Sequence, residues 1–502
     1  MTFLIVIVLL LAGCGSQPPD PDTVTVALEQ PPLNFDPRIA TDSVSQHLIQ
    51  LIFSALVKKD SESNVVPDLA TSWDIPDPQT YIFHMRRDAR FHDNRPVTAR
   101  DVVYTFRTIL DGSVRTAKLG SYRMTESVTA ADDYTVVFKL KEPSASFLLN
   151  LTRGVSGIVP EGSGADFGRN PIGSGDFQFV HYIQDGEVML RRNETYYGPR
   201  PNITFLKFKI ILDATVTALE LQKGSVDISL NFLPPDMVEA LKHEKGLNVM
   251  QAEGTRYYYL AFNLKDPAFS DLRVRKAIAH AINREEIIKY LLRDQARLAT
   301  GVLPPNNWAY ESNVATYPYD PELARQLLKE AGQPNLEFTH STSQDETGRL
   351  FASVLQQQLR EVGIRMNIRS NEFATFYNGV ISGNFQTYSL RWVGGNDDPD
   401  ILNLIFHSKM TPMNGANRGY YSNPEVDGLI DIARRELDVE KRKPAYHRVQ
   451  QVVAEELPYV NLWYLDNVAV YNKRISGMKL YPSGEFDFLS EIRTTPAVSA
   501  EN

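Results

Sequence analysis

The chain has 502 residues, 43% of them hydrophobic and 23% charged, with a net charge of −9. Single cores rarely outgrow about 250–300 residues, so two or three domains are required. The acidic balance argues against nucleic acid as a partner. A single cysteine, Cys14, excludes internal disulfides and cysteine-based zinc sites.

In chain order, an apolar run from Phe3 to Ala12 leads into Gly13-Cys14. That spacing looks like a bacterial lipobox, with 1–13 as signal peptide and a lipidated Cys14 as the mature start. Residues 14–22 are polar and proline-rich and read as a tether. Beyond this leader no apolar run approaches the roughly 20 residues of a membrane span. The only contact with the bilayer is then lipid on Cys14, whose acyl chains anchor at about 0.8 kcal/mol per buried methylene.

Thr23 to Leu28 alternates as a first strand, and Tyr81–Arg86 and Thr135–Leu140 repeat the period of two. Thr98, with Asp101 three positions on, opens a helix that carries Val102, Val103, Phe106, Ile109 and Leu110 on one face. The glycine-rich stretch from Gly154 to Gly175 reads as a boundary.

The second half alternates helix and strand, predicting α/β architecture with a largely parallel sheet. Asp320-Pro321 opens a helix and Gly332 closes it. A second helix, with Phe351, Val354, Leu355, Leu359 and Val362, stops at Gly363. A strand over 364–369 follows, then a helix through Phe373, Phe376 and Val380 to Gly383, then a strand from Phe385 to Trp392. Ligands of open α/β sheets gather at strand carboxyl ends, so the loop after Trp392 is the first place to look for a site.

Several segments form an ordered series: Ala70-Thr71-Ser72-Trp73, Tyr81–Arg86, Phe91-His92-Asp93, Pro96–Val102, Asn170-Pro171-Ile172-Gly173-Ser174-Gly175, Asn263 with Asp271–Ile278, Tyr319–Gly332 and Tyr421–Asp427. The series resembles the large solute-binding proteins of peptide and nickel ABC importers over nearly the whole mature chain. Trp73 and Phe83 read as core within it, and Arg273 and Arg275 as solvated or salt-bridged residues opening a helix. The resemblance implies a two-lobed periplasmic-binding-protein fold (α/β; type II, cluster C) with an extra domain inserted in the first lobe. Lobe I would comprise 23–54, 170–262 and 468–502, the inserted domain 55–169, and lobe II 263–467, with crossings near 263 and 467. It also implies a monomeric extracytoplasmic carrier, in the periplasm or on the cell surface. A solute closed between hinged lobes passes to permease subunits in the membrane.

In the family's peptide binders an aspartate three positions after a tryptophan takes the peptide ammonium. Trp392 is followed by Val393, Gly394 and Gly395, so glycine stands at the anchor. A buried ammonium without a counter-charge costs several kcal/mol. Either another carboxylate serves, Asp397 or Asp42, or the ligand lacks that amine. Asp398, before Pro399 and an apolar run, reads as a helix N-cap. The resemblance also directs Thr41, Asp42 and Ser43 to a ligand-contacting loop, Arg349 to a ligand carboxylate, and Trp392 with Gly395, Asn396 and Asp397 to the cleft. At most one of Tyr257, Tyr258 and Tyr259 is expected to face that cleft.

No metalloprotease, nucleophile-elbow or phosphate-loop motif occurs, and the nine histidines show no short ligand spacing. An enzyme, a metal site and a cofactor are therefore not expected. Peptides lead as ligands, with opines, glutathione-like molecules, oligosaccharides and metal chelates as alternatives. A periplasmic chaperone or hydrolase is the remaining reading.

Overall fold

The computed structural model describes residues 22–60, 64–116, 118–152, 154, 156–392, 398–412 and 414–495. The signal peptide, Cys14 and most of the tether lie outside the described residues, as do Gly395, Asn396 and Asp397.

Eleven strands form one sheet: β1 (Thr23–Leu28), β2 (Phe177–Ile183), β3 (Glu187–Arg192), β4 (Phe205–Ile210), β5 (Ile228–Leu230), β6 (Leu247–Phe262), β7 (Ala296–Leu298), β8 (Glu337–Ser343), β9 (Arg365–Asn371), β10 (Thr387–Trp392) and β11 (Tyr459–Asn472). Their order is β9-β8-β10-β6-β11-β5-β1-β4-β3-β2, with β7 on β11. β8, β9 and β10 are parallel to one another, as the helix–strand alternation predicts. The whole sheet is mixed, because β6 runs antiparallel to both β10 and β11. A sheet that must carry the chain out of one lobe and back again needs return strands of opposite direction.

β6 and β11 are those strands. The first half of β6, Leu247–Ala252, pairs with Asn472–Asn467, and the second, Arg256–Ala261, with Leu465–Tyr459. Between the halves Glu253–Thr255 face the single residue Asp466, a bulge that twists the sheet where the lobes meet. Separate cores lie on either side of it, and Tyr257–Phe262 pack with the second lobe, so the first crossing falls at the bulge rather than near the expected 263. Val24, Val26, Leu206, Phe208 and Ile228 pack with the helix Ser43–Ile52 in the first lobe. Leu260, Ile278, Phe338, Leu355 and Trp463 pack in the second. Tyr257 and Tyr259 enter another second-lobe core on the opposite sheet face from Tyr258, and all three are buried. Helices cover both faces of these strands, so alternation leaves no tyrosine for the cleft.

The inserted region forms its own four-stranded antiparallel sheet, from Ala70–Asp77, Thr80–Met85, Thr135–Leu140 and Thr125–Asp132 in that order. The helix Ala99–Leu110 closes its core through Val102, Phe106 and Ile109, held at its start by Thr98 and Asp101 as a reciprocal capping box. Phe83 is wholly buried there and Trp73 partly so. Gly173 and Gly175 run hard against Leu51 and Ile52: a Cβ on Gly173 would meet the Ile52 carbonyl oxygen at 1.8 Å. Close approach, not serine chemistry, accounts for the Gly-Ser-Gly there.

Two charged helix residues diverge. Arg273 pairs with Asp271 at 2.6 Å on the surface. Arg275 is buried, and its guanidinium donates to the carbonyls of Phe269, Ser270, Glu456 and Leu457. It ties the helix Leu272–Ala281 to the start of β11.

Candidate functional site: the crevice between the lobes

Register fixes where the crevice lies. β1 and β5 run with β6 toward its midpoint, and β10 runs against β6 toward the same midpoint. The carboxyl ends of the parallel strands in both lobes therefore face each other across the bulge, the place where open α/β sheets bind ligands.

Lobe I contributes Glu29, one residue beyond β1. Val26 pairs with Ile228, so Glu29 stands abreast of Asn231, just past β5. Lobe II contributes Arg391 and Trp392, the last residues of β10, with Arg391 directly opposite Tyr258. Arg256 belongs to the floor. Its Nη2 donates to the Asn231 side chain at 3.1 Å and to the Asp466 carbonyl at 2.6 Å, while its buried Nε has no partner.

The electrostatics agree with that placement. Glu29 is solvent-exposed by surface area, yet burial pushes its pKa up, only partly offset by Arg391 and then Arg256. A carboxylate in a crevice reconciles the two: water reaches it, but protein surrounds it. Burial pulls Arg256 down to about 10, with Arg391 adding to the fall and Glu29 and Asp466 opposing it. Neither arginine nitrogen set comes within ion-pair distance of Glu29. The Arg391 side chain makes no hydrogen bond or ion pair to any described residue.

Trp392 is half-buried against the second-lobe core, its ring 5.2 Å from the Arg418 guanidinium. Arg418 is buried, stacks equally on Tyr377 and donates Nη2 to the Tyr377 hydroxyl at 2.9 Å. This cation–π sandwich fixes the indole at the mouth of the loop. Arg349 stands exposed in the first turn of the helix Glu346–Glu361, just past β8, and its side chain has no partner among the described residues. Asp345 caps that helix by accepting from the Gly348 N–H at 2.8 Å.

The other sequence candidates fall differently. Asp42 is the N-cap of the helix Ser43–Ile52 and accepts from the Ser45 N–H at 2.8 Å. Its charged company is His47 and Lys118, not the crevice arginines. Thr41 is exposed and Ser43 half-buried beside it. Asp398 is not the expected cap. It accepts from the Asp400 N–H at 2.7 Å and folds the turn before the helix Ile401–Phe406, while Asp400 pairs with Arg434 at 2.6 Å. Pro399 and Asp400 form the turn, so the helix begins at Ile401 with Asp400, not Asp398, in the cap position.

Glu29, Arg256, Arg391 and Arg418 were not among the sequence candidates. Each is a charge ending or interrupting an apolar strand, or beside a tyrosine pair, and that was the available signal. A second cavity of about 440 Å³ opens in lobe II beside Asn283, Thr300 and Tyr319. Its Arg284 is already committed to the carbonyls of Asn461 and Tyr317.

Comparison with known proteins gives the family and supports the fold. Residues 64–411 match the family described as bacterial extracellular solute-binding proteins, family 5 (middle region), and the chain belongs to that family. The dipeptide-binding protein of Escherichia coli K12 is 28% identical over 501 residues, covering 93% of this chain and 94% of its own. NikZ of Campylobacter jejuni, solved with Ni(L-His), superposes with a TM-score of 0.82 at 27% identity over 95% of this chain and 100% of its own. The periplasmic binding protein DppA of Helicobacter pylori, solved with the peptide STSA, gives 0.82 at 26% identity over 94% and 98%. The fold is the two-lobed binding-protein fold with an inserted domain. The protein is an extracytoplasmic solute carrier of the ABC import class and not an enzyme. Among the described residues no helix is long and apolar enough to cross a membrane.

Proposed function

We propose that the protein captures a peptide or peptide-like solute in the crevice between its lobes and presents it to an ABC permease while lipid on Cys14 holds it at a membrane surface. The observation that carries this reading is the convergence of charged side chains from both lobes, unpaired among the described residues, Glu29 against Arg391, with Trp392 beside them, on the bulge joining the lobes. Charges left without protein partners in a part-desolvated gap are placed for a charged solute. Dipeptide-binding relatives and a peptide-loaded structural neighbour support a peptide. Arg349 suits a solute carboxylate and Trp392 a stacking wall, and the family resemblance adds Gly395, Asn396 and Asp397 to the ligand contacts. With Asp42 engaged as a helix cap, Asp397 is the better of the two named replacements for the absent aspartate. The carrier acts as a monomer.

Native mass spectrometry of protein purified without added ligand tests this. An intact peptide released on denaturation is expected, and calorimetry with that peptide should return one site per chain. Purified protein that retains no solute, or that cleaves added peptides, overturns the reading. Labelling with radioactive palmitate, abolished by Cys14→Ser, tests the anchor.

A further inference from the structure

Glu29, Arg256 and Arg391 raise a question that a simple amine anchor does not answer. Three strands of the sheet bring one uncommitted carboxylate and two guanidinium groups to one gap, the neighbouring Asp466 carboxylate being engaged by Arg297 and Gln251. Glu29 follows β1, Arg256 sits on β6 two residues before Tyr258, and Arg391 faces Tyr258 from β10. Arg256 and Tyr258 share a strand face, since side chains alternate, and Arg391 lies on it too. Each guanidinium acts on Glu29, yet neither reaches it with an ion pair. Arg391 is unpaired among the described residues, and the Arg256 Nε is an orphaned buried donor.

The charge count excludes simple ligand ends. A lone ammonium, as at an ordinary peptide amino terminus, gains Glu29 but is repelled by two cations. A lone carboxylate gains the arginines but is repelled by Glu29. In a part-desolvated gap these terms are each worth several times their value in bulk water. A group bearing both charges on one carbon meets neither penalty.

We propose that the solute enters with an α-amino acid head group, its ammonium donating to Glu29 and its α-carboxylate accepting from Arg391 and the Arg256 Nε. This rests on the carrier reading above and narrows it. The preferred solutes are amino acids or isopeptides joined through a side-chain carboxyl, which keep ammonium and carboxylate together, rather than α-linked peptides, which separate them. On this assignment Glu29 of the first lobe meets the ammonium, so neither an aspartate at position 395 nor Asp397 is needed for it.

Two isomers of equal mass and charge make the test: γ-glutamyl-alanine, which has the head group, and α-glutamyl-alanine, which does not. Calorimetry on the full mature chain, dialysed free of solute, should show the γ-isomer binding at least about tenfold tighter, about 1.4 kcal/mol. Glu29→Gln and Arg391→Gln should each abolish that preference while leaving the thermal transition in place. An α-isomer that binds equally or better overturns the proposal. So does a preference that survives Glu29→Gln, or the failure of both isomers to bind. The co-purified solute separates the two levels of failure. A retained solute without an adjacent amine and carboxylate sinks the head-group assignment alone, whereas an empty crevice sinks the carrier reading as well.

Discussion

Arginines of the bulge and of the crevice live under opposite rules. At the bulge, Arg297 donates to the Gly254 carbonyl and to Asp466, and pairs with Glu253, while Gln251 holds the other Asp466 oxygen. The returning tail joins in, with Thr255 and Asn467 donating to carbonyls of Tyr481 and Pro482. In the crevice, the Arg349 and Arg391 side chains have no such partners among the described residues. A charge removed from water costs several kcal/mol unless paired. The fold meets that cost where the two lobes must stay registered and leaves it open where a solute arrives. Partnering thus separates scaffold from site better than residue type does.

The sharpest way to break this division is to strip a scaffold arginine. Arg474 is buried against Asp227 with both contacts at 2.6 Å, and Asp227 also accepts from the Thr25 N–H, pinning β1 to β5. Arg474→Ala strands a buried carboxylate, so a loss of about 3–5 kcal/mol is expected in urea unfolding, with solute affinity of the surviving folded protein unchanged. A loss under about 1 kcal/mol would erase the distinction.

Acid sharpens it next. His340 in β8 is wholly buried, its Nδ1 against Thr387, and burial lowers its pKa from 6.5 to about 4. The unfolded chain takes up a proton near pH 6.5 that the folded chain refuses until about pH 4. Its contribution is therefore complete above pH 6.5 and declines as pH falls from 6.5 to 4, by about 3 kcal/mol in all. Stability of wild type minus His340→Gln, followed by calorimetry across that window, should show this slope.

Much of the scaffold was legible in the residues themselves. Thr98 with Asp101, and Asp320-Pro321 with Gly332, mark helix ends because caps are local chemistry, and Gly332 indeed adopts φ +71°. The site was half legible. Trp392 follows from the strand pattern and the position of its loop. Asp42 shows why the rest was not: an aspartate before a helix looks the same in sequence whether it caps the backbone or meets a ligand. Glu29, Arg256 and Arg391 are brought together only by strand order and register, which no local pattern encodes.

At the bulge a backbone test follows. A Cβ on Gly254 would lie 2.3 Å from the Leu465 carbonyl oxygen. Gly254→Ala must push β6 and β11 apart at the point where the lobes join. A stability loss of about 1–3 kcal/mol is expected, with scattering curves in the presence of solute showing incomplete closure. A variant that closes normally would place the pivot elsewhere along these strands.

The smallest effect falls on Arg349, and it separates the two classes of arginine most cleanly. Its side chain is exposed, and its helix is capped independently by Asp345. Arg349→Ala therefore removes no internal partner and should leave the melting temperature within about 1 °C, since exposed substitutions usually stay within about 0.5 kcal/mol. A solute carboxylate held in two-point contact would still be lost, weakening calorimetric affinity about tenfold, and Arg349→Lys should restore only part of it because an ammonium cannot reproduce the planar fork. If affinity holds and the melting temperature drops instead, Arg349 belongs with the scaffold, and the carboxylate end of the solute must be sought nearer Arg391.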